Sequence, residues 1–180
     1  MTARLDIKAN RTLRKWSHRV QVGRVLWALA TPLFRFSPRP CWGWRRGLLR
    51  CFGAQVGLGV QIHPSVRITM PWNLEIGPEA GIGDRVILYA LGRINIGPRT
   101  TISQHAHLCA GSHDLALASR PLVKSPITIG ADAWVCADAF VGPGVRIGDQ
   151  AVLGARAVAM KDVPAAHLGV GNPIQLRRLQ

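Results

Sequence analysis

Residues 127–163 read ITIGADAWVCADAFVGPGVRIGDQAVLGARAVAMKDV. An aliphatic residue returns at every sixth position: Ile129, Val135, Val141, Ile147, Leu153 and, as the smallest member, Ala159. Four residues after each stands a small or β-branched residue: Ala133, Ala139, Val145, Ala151, Ala157 and Val163. Gly130, Gly142, Gly148 and Gly154 directly follow four of the apolar positions. An amphipathic helix needs apolar residues three and four apart, and a lone strand alternates by two. A period of six is that of a parallel β-helix, with one short strand and one turn per unit. The apolar residue points inward and the small residue fits the bend. Glycine is expected to supply turn angles that a side chain would forbid. One coil cannot bury its own inner face, so coils must stack.

The period begins well upstream. Val56, Ile62, Ile68 and Leu74 keep it, then Ile76, Ile82, Leu88 and Ile94, then Ile96, Ile102 and Leu108. The register slips by two at Leu74–Ile76, Ile94–Ile96 and Ile127–Ile129. A slip of two keeps side chains on one face of a strand and is expected to widen a corner. With three hexads to a triangular coil, residues 54–163 form an all-β solenoid of about five coils. Residues 111–126, GSHDLALASRPLVKSP, break the rhythm and read as a loop ejected from it. Binding residues concentrate on such loops. Residues 164–180 are read as a C-terminal tail.

Residues 1–53 are of another kind. They hold twelve Lys or Arg and one acid, Asp6, while residues 54–180 hold eleven basic and eight acidic residues. Most of the net charge of +14 therefore belongs to this appendage. Residues 1–19 are polar and are expected to be loosely ordered and dispensable for chemistry. A helix is expected from Val20, ended or kinked by Pro32, and a second from Trp42 to Phe52 with Gly53 as its C-cap. The ten uncharged residues between Arg24 and Arg35 are too few to span a bilayer, which takes about 20. Two roles are open: a cap over the first coil, or a membrane-surface element built from Trp16, Trp27, Trp42 and Trp44 with their arginines. Met1–Lys15 has no apolar signal-peptide core. Cys41, Cys51, Cys109 and Cys136 form no C-x-x-C pair, so free thiols in a reducing compartment are expected. The expected place is the cytoplasm, peripheral to the inner face of the membrane.

Hexads, a late histidine-bearing loop and the ending Lys161-Asp162-Val163-Pro164 … Gly171-Asn172-Pro173 resemble the hexapeptide-repeat acyltransferases. A narrower likeness rests on Phe34-x-x-Ser37-Pro38, Leu48-Leu49-Arg50-x-Phe52-Gly53-Ala54, Pro71-Trp72, Leu88-Tyr89 and Ile102-Ser103-Gln104 through Gly111-Ser112-His113-Asp114. Those motifs resemble the colanic-acid-type, WcaF-like acetyltransferases associated with exopolysaccharide synthesis. The resemblance implies a left-handed β-helix, a homotrimer with active sites between subunits, acetyl-CoA as donor and a sugar or glycan hydroxyl as acceptor.

It also implies a site. His113 matches the catalytic histidine, and a neutral imidazole is a suitable base for a hydroxyl proton near neutral pH. Asp114 or a backbone carbonyl is left to fix its tautomer. Trp134 matches a residue walling the acceptor site, and Asp84 and Tyr89 lie on an earlier coil facing the same cleft. Related galactoside enzymes carry an acceptor-orienting asparagine where this chain has Ile87. Ala137 and Ala155 match small positions along pantetheine, and Met160, Lys161 and Arg178 match positions near the distal phosphates. No glycine-rich nucleotide loop is present, so ATP and NAD are not suggested.

Two other classes stay open. His105, His107 and His113 raise a zinc lyase of the carbonic anhydrase kind, although their spacing does not match that family and no metal is expected. The basic arm raises a non-catalytic scaffold or nucleic-acid binder. The near-neutral repeat domain, without interleaved aromatic and basic residues, argues against nucleic acid.

Overall fold

The computed structural model describes residues 5–13 and 15–179; residues 1–4, 14 and 180 lie outside it. Three helices come first: α1 (Ile7–Thr12), α2 (His18–Arg35) and α3 (Trp42–Cys51). The first coil is β1 (Gln55–Val56), β2 (Gln61–Ile62) and β3 (Arg67–Ile68). The second is β4 (Leu74–Ile76), β5 (Gly81–Ile82) and β6 (Ile87–Tyr89), and the third is β7 (Ile94–Ile96), β8 (Thr101–Ile102) and β9 (His107–Cys109). A hairpin of β10 (Ser112–His113) and β11 (Leu122–Val123) then leaves the solenoid. The fourth coil is β12 (Ile127–Ile129), β13 (Trp134–Val135) and β14 (Phe140–Val141), and the fifth is β15 (Arg146–Ile147), β16 (Val152–Leu153) and β17 (Val158–Ala159). The chain ends in β18 (His167–Val170) and β19 (Gln175–Arg178).

Parallel pairing stacks these strands into three faces. Face A holds β1, β4, β7, β12 and β15; face C holds β3, β6, β9, β14 and β17. Face B holds β2, β5, β8, β13, β16 and β18, with β19 antiparallel at its end. Five coils are complete and a sixth is begun, because Val163 bridges to Ile147 on face A and β18 pairs with β16 on face B. The solenoid therefore makes about six turns, and the segment expected to be a tail belongs to it. Ile62, Ile82, Ile102, Val135 and Leu153 form a buried column behind face B.

Two details depart from the reading of the repeat. The slips of two do not widen a corner. They lengthen the face A strands: Leu74 and Ile76 are both buried, with Glu75 between them exposed, as extended backbone allows. The recurrent spacing of glycine is also not a matter of turn angle. Left-handed φ values of 53° to 61° are held by Glu79, Arg85, Arg99, His105, Asp132, Asp138, Gln150 and Arg156, each just before a small inward residue. The glycines are where successive coils touch. A Cβ on Gly97 would lie 2.4 Å from the Gly130 backbone, and one on Gly148 would lie 2.3 Å from Ala165 N.

The first coil has no coil below it, so its outward carbonyls need other partners. Helix α3 supplies them. Arg50 Nε donates to Val56 O (2.9 Å), Arg46 Nη1 to Val60 O (2.9 Å) and Arg45 Nε to Ile62 O (2.6 Å). Arg45 is wholly buried and also donates to Ser37 Oγ, Pro38 O and Arg39 O. Desolvation pulls its pKa below the usual arginine value, and these neutral acceptors replace the lost water. Leu49, Phe34 and Trp27 join the same core as Val56, Val60 and Ile62. Gly53, at φ +84°, ends α3 and turns the chain into β1.

Pro32 lies inside the last turn of α2 without ending it; its nitrogen donates nothing, but its carbonyl accepts from Phe36 N (2.9 Å) and closes the turn. The tryptophans do not form a common belt. Trp27 is buried with Nε1 donating to Ile68 O (2.8 Å), Trp16 is covered by Lys124 and Arg24, and Trp42 stacks on Arg45. Only Trp44 of these is half-exposed, and its Nε1 is tied to Leu33 O (3.0 Å). Among the described residues, no helix is long and apolar enough to cross a membrane. All four cysteines carry free thiols.

Candidate active site

The ejected segment is a hairpin. Ser112 pairs with Val123 and His113 with Leu122, so His113 stands on a short ladder near the edge where face C turns to face A. Its Nδ1 lies 2.7 Å from Arg120 O. A carbonyl can only accept, so Nδ1 carries the hydrogen and Nε2 keeps a lone pair. The ring is exposed, which leaves that lone pair open to a ligand. Arg120 itself has a left-handed φ of +42°, an uncommon geometry for a residue with a side chain. Asp114 does not hold the imidazole. Its Oδ1 accepts from Ala116 N (2.9 Å) and its N–H donates to Pro121 O (3.0 Å), both inside the hairpin. Of the two orienting groups left open by the sequence, the backbone carbonyl is the one in contact.

The remaining site residues fall into two columns. Tyr89 ends β6 on face C. Met160 and Lys161, both exposed, follow β17. These lie at or beside the edge that bears the hairpin. Between Tyr89 and Phe140, edge-on to both rings, is His107. It is half-buried with Nε2 unpartnered, and burial lowers its pKa.

The second column follows face B and its edge with face C. Asp84, Ala137 and Ala155 occupy that edge on the second, fourth and fifth coils, and Trp134 lies on β13. Asp84 accepts from Ser65 Oγ and is flanked by His63 and Arg85 at 4.0 and 3.9 Å. The Ser65 hydroxyl, foremost, draws its pKa below the ordinary carboxylate value. Trp134 is half-exposed and donates from Nε1 to Ser103 Oγ (2.8 Å). Beside it a cleft of about 210 Å³ is lined by Gln61, His63, Thr101, Ser103 and Gln104. Arg178 is exposed on β19, opposite His167 at the far end of face B. Ile87 points outward on face C and supplies no polar group for an acceptor. One chain thus keeps His113 and Tyr89 apart from Asp84, Trp134, Ala137 and Ala155, on different edges of the prism. His105 is at a corner, His107 on a face and His113 in the hairpin; among the described residues no three His, Cys, Asp or Glu side chains converge as metal ligands.

The N-terminal segment was expected to be loose, but it docks on this hairpin. Asp6 N donates to Ala118 O (2.9 Å), and Asn10 Nδ2 donates to Ser119 O (2.6 Å) and Arg120 O (2.8 Å). Lys124 places its ammonium 3.9 Å from the Trp16 ring centroid, a cation–π contact. Leu5, Ile7, Asn10, His113, Leu115 and Arg120 line an open pocket of about 300 Å³. Asp6 capping Ala9 N (2.8 Å) is a helix start legible in sequence. Its docking partner is not.

No family model matches the chain. Over 150 residues it is 48% identical to the protein provisionally named colanic acid biosynthesis acetyltransferase WcaF of Escherichia coli strain K12, covering 83% of this chain and 82% of that one. Its fold is similar to that of a hexapeptide-repeat acetyltransferase from Vibrio cholerae complexed with acetyl coenzyme A (TM-score 0.83, 23% identity, 91% of each chain). It is also similar to that of a galactoside acetyltransferase in complex with coenzyme A (TM-score 0.79, 22% identity, 96% and 88% of the two chains). A solenoid of the opposite hand does not superpose over nine-tenths of its length, so the left-handed coil is common to them. With its sequence matched across four-fifths of a relative and its coils superposed on solved examples, the chain belongs to the hexapeptide-repeat acetyltransferases, in their WcaF-like, colanic-acid type.

Proposed function

We propose that the protein is an acetyl-CoA-dependent O-acetyltransferase acting on a hydroxyl of a sugar or exopolysaccharide intermediate, with His113 as general base. The observation that carries this is the Nδ1 contact to Arg120 O. It leaves Nε2 free to take the hydroxyl proton as that oxygen attacks the thioester in a ternary complex. The names of the relatives, a colanic acid acetyltransferase and a galactoside acetyltransferase, support a glycan acceptor. The bound coenzymes of the similar structures support the donor.

The split of the site residues over two prism edges favours a homotrimer, in which one copy's hairpin meets the next copy's face B. Ala137 and Ala155 leave room there for a narrow chain, and the exposed Lys161 and Arg178 offer cations to phosphates. Tyr89, Asp84 and Trp134 are the acceptor-facing groups of this reading; Asp114 shapes the hairpin turn.

Contact with an anionic lipid surface is part of the same proposal. The outer face of α2, opposite the buried Trp27 and Phe34, exposes Val22, Val25, Leu29 and Leu33, and Phe36 directly after the helix is 87% exposed. Arg19, Arg24, Arg35 and Arg39 are exposed around it, and no acid occurs between Asp6 and Glu75. A helix apolar on two opposite faces has a use for a second apolar surroundings, and a cationic rim selects anionic headgroups.

The test of the chemistry is His113→Ala with the true acceptor. A loss of about 10² to 10⁴ in kcat is expected, with acetyl-CoA affinity unchanged. Full turnover by that variant would end the assignment of the base.

A further inference from the structure

The Asn10 side chain joins two parts of the chain that the proposed chemistry does not otherwise connect. Its Nδ2 donates to Ser119 O (2.6 Å) and Arg120 O (2.8 Å), while its Oδ1 accepts from Lys15 Nζ (2.8 Å). This is the one amide orientation that satisfies all three partners, since carbonyls only accept and an ammonium only donates. The Arg120 carbonyl also faces His113 Nδ1 at 2.7 Å. Both of its lone pairs are therefore engaged, one by the imidazole and one by Asn10.

We propose that Asn10 is a positioning residue for the reaction: helix α1 latches the tip of the hairpin, and through the Arg120 carbonyl it fixes the ring and tautomer of His113. This rests on the reading of His113 as the base. Lys15 holds the latch in turn by fixing the Asn10 amide. Within the hairpin, two residue pairs and the bond from Asp114 N–H to Pro121 O (3.0 Å) form the ladder, while Ala116 N–H to Asp114 Oδ1 (2.9 Å) and Arg120 N–H to Leu117 O (3.0 Å) close the turn; none of these reaches the far side of the Arg120 carbonyl. Arg120 has a left-handed φ, and such a residue persists where its surroundings over-determine it. Asp6 N to Ala118 O adds a second tie from the same segment. Leu5 and Ile7 then wall the approach to His113 with apolar surface. Residues near the start of the chain are thus part of the pocket, and are not dispensable.

The experiment uses the full chain and three substitutions. His113→Ala comes first: if it keeps full turnover, the reading of the base fails whatever Asn10 does. With that loss established, Asn10→Ala is measured for kcat, for KM toward acetyl-CoA and acceptor, and for the His113 tautomer by imidazole nitrogen chemical shifts. A drop of about ten- to a hundredfold in kcat is expected, the size that a misplaced catalytic group brings. The KM for acetyl-CoA should hold, and the imidazole should move from one tautomer to a mixture. Asn10→Asp should be at least as impaired, because a carboxylate facing two carbonyl oxygens repels them. Wild-type kcat and tautomer in Asn10→Ala would overturn the inference. So would a lowered kcat with an unchanged tautomer, since the latch would then act on something other than the base.

Discussion

His107 shows how one side chain sets the conditions under which the fold holds. Its Nε2 is buried without a partner among the described residues, and desolvation lowers its pKa. His63 is shifted the same way, first by desolvation and then by Arg39. Unfolded, both regain an ordinary histidine pKa of about 6.5. Below that pH the unfolded chain binds protons that the folded one resists, so stability falls as pH falls. The contribution is complete above about pH 6.5 and is lost through the window beneath it, before carboxylates titrate near 4. Urea midpoints measured from pH 8 to pH 5 should therefore decline, and His107→Gln should flatten the decline. An unchanged slope in that variant would assign the acid sensitivity elsewhere.

Among elements, α2 is the one whose two faces call for different surroundings. Its inner face is fixed by Trp27, donating to Ile68 O, and by Phe34. Its outer face carries Leu29 at 72% exposure, and Phe36, the residue that follows the helix, is 87% exposed. Leu29→Glu with Phe36→Ser should abolish sedimentation with vesicles containing anionic lipid and leave the melting temperature and kcat in solution intact. Wild-type binding by that double variant would remove the lipid surface from the proposal. Salt should weaken the wild-type interaction, because the arginine rim is screened with a Debye length of about 10 Å at 0.1 M. The sequence marked the appendage by its charge but not by its burial: the indoles of Trp16, Trp27 and Trp42 go into packing, Trp44 stays half-exposed, and Val22, Val25, Leu29 and Leu33 face outward.

At the scale of the whole molecule, the solenoid was legible because each hexad states its own inward residue. Ile62, Ile82 and Ile102 need no knowledge of distant sequence to be placed in one column. The candidate site was legible only in part. His113 announced itself through Gly111-Ser112-His113-Asp114, but the carbonyl of Arg120 has no signature, because every residue owns one. The edge on which a residue lands was hidden as well, since it follows from corner count and not from local pattern. Those edges yield a prediction about assembly. His113→Ala and Ala155→Trp, each inactive alone, should regain activity when refolded together as mixed trimers. If each site takes its histidine from one copy and its slot from the next, random assortment in a closed ring restores about a quarter of the sites. No recovery, or a monomer by light scattering, would place the whole site within one chain.

The contact between Asn10 and the hairpin also has a place in time. Successive coils pair residues about 20 positions apart, as Gln55 does with Glu75 and Glu75 with Asn95. Asn10 waits for Ser119 and Arg120, 109 and 110 positions later. A ribosome adding about 5 to 20 residues per second needs about 5 to 20 s to reach them. During that interval the early coils can close in the order they emerge, each on the one before. Helix α1 is left without its seat until the third coil is finished and the hairpin beyond it has appeared. The histidine is already in the chain before the segment that bears Asn10 can dock on the hairpin.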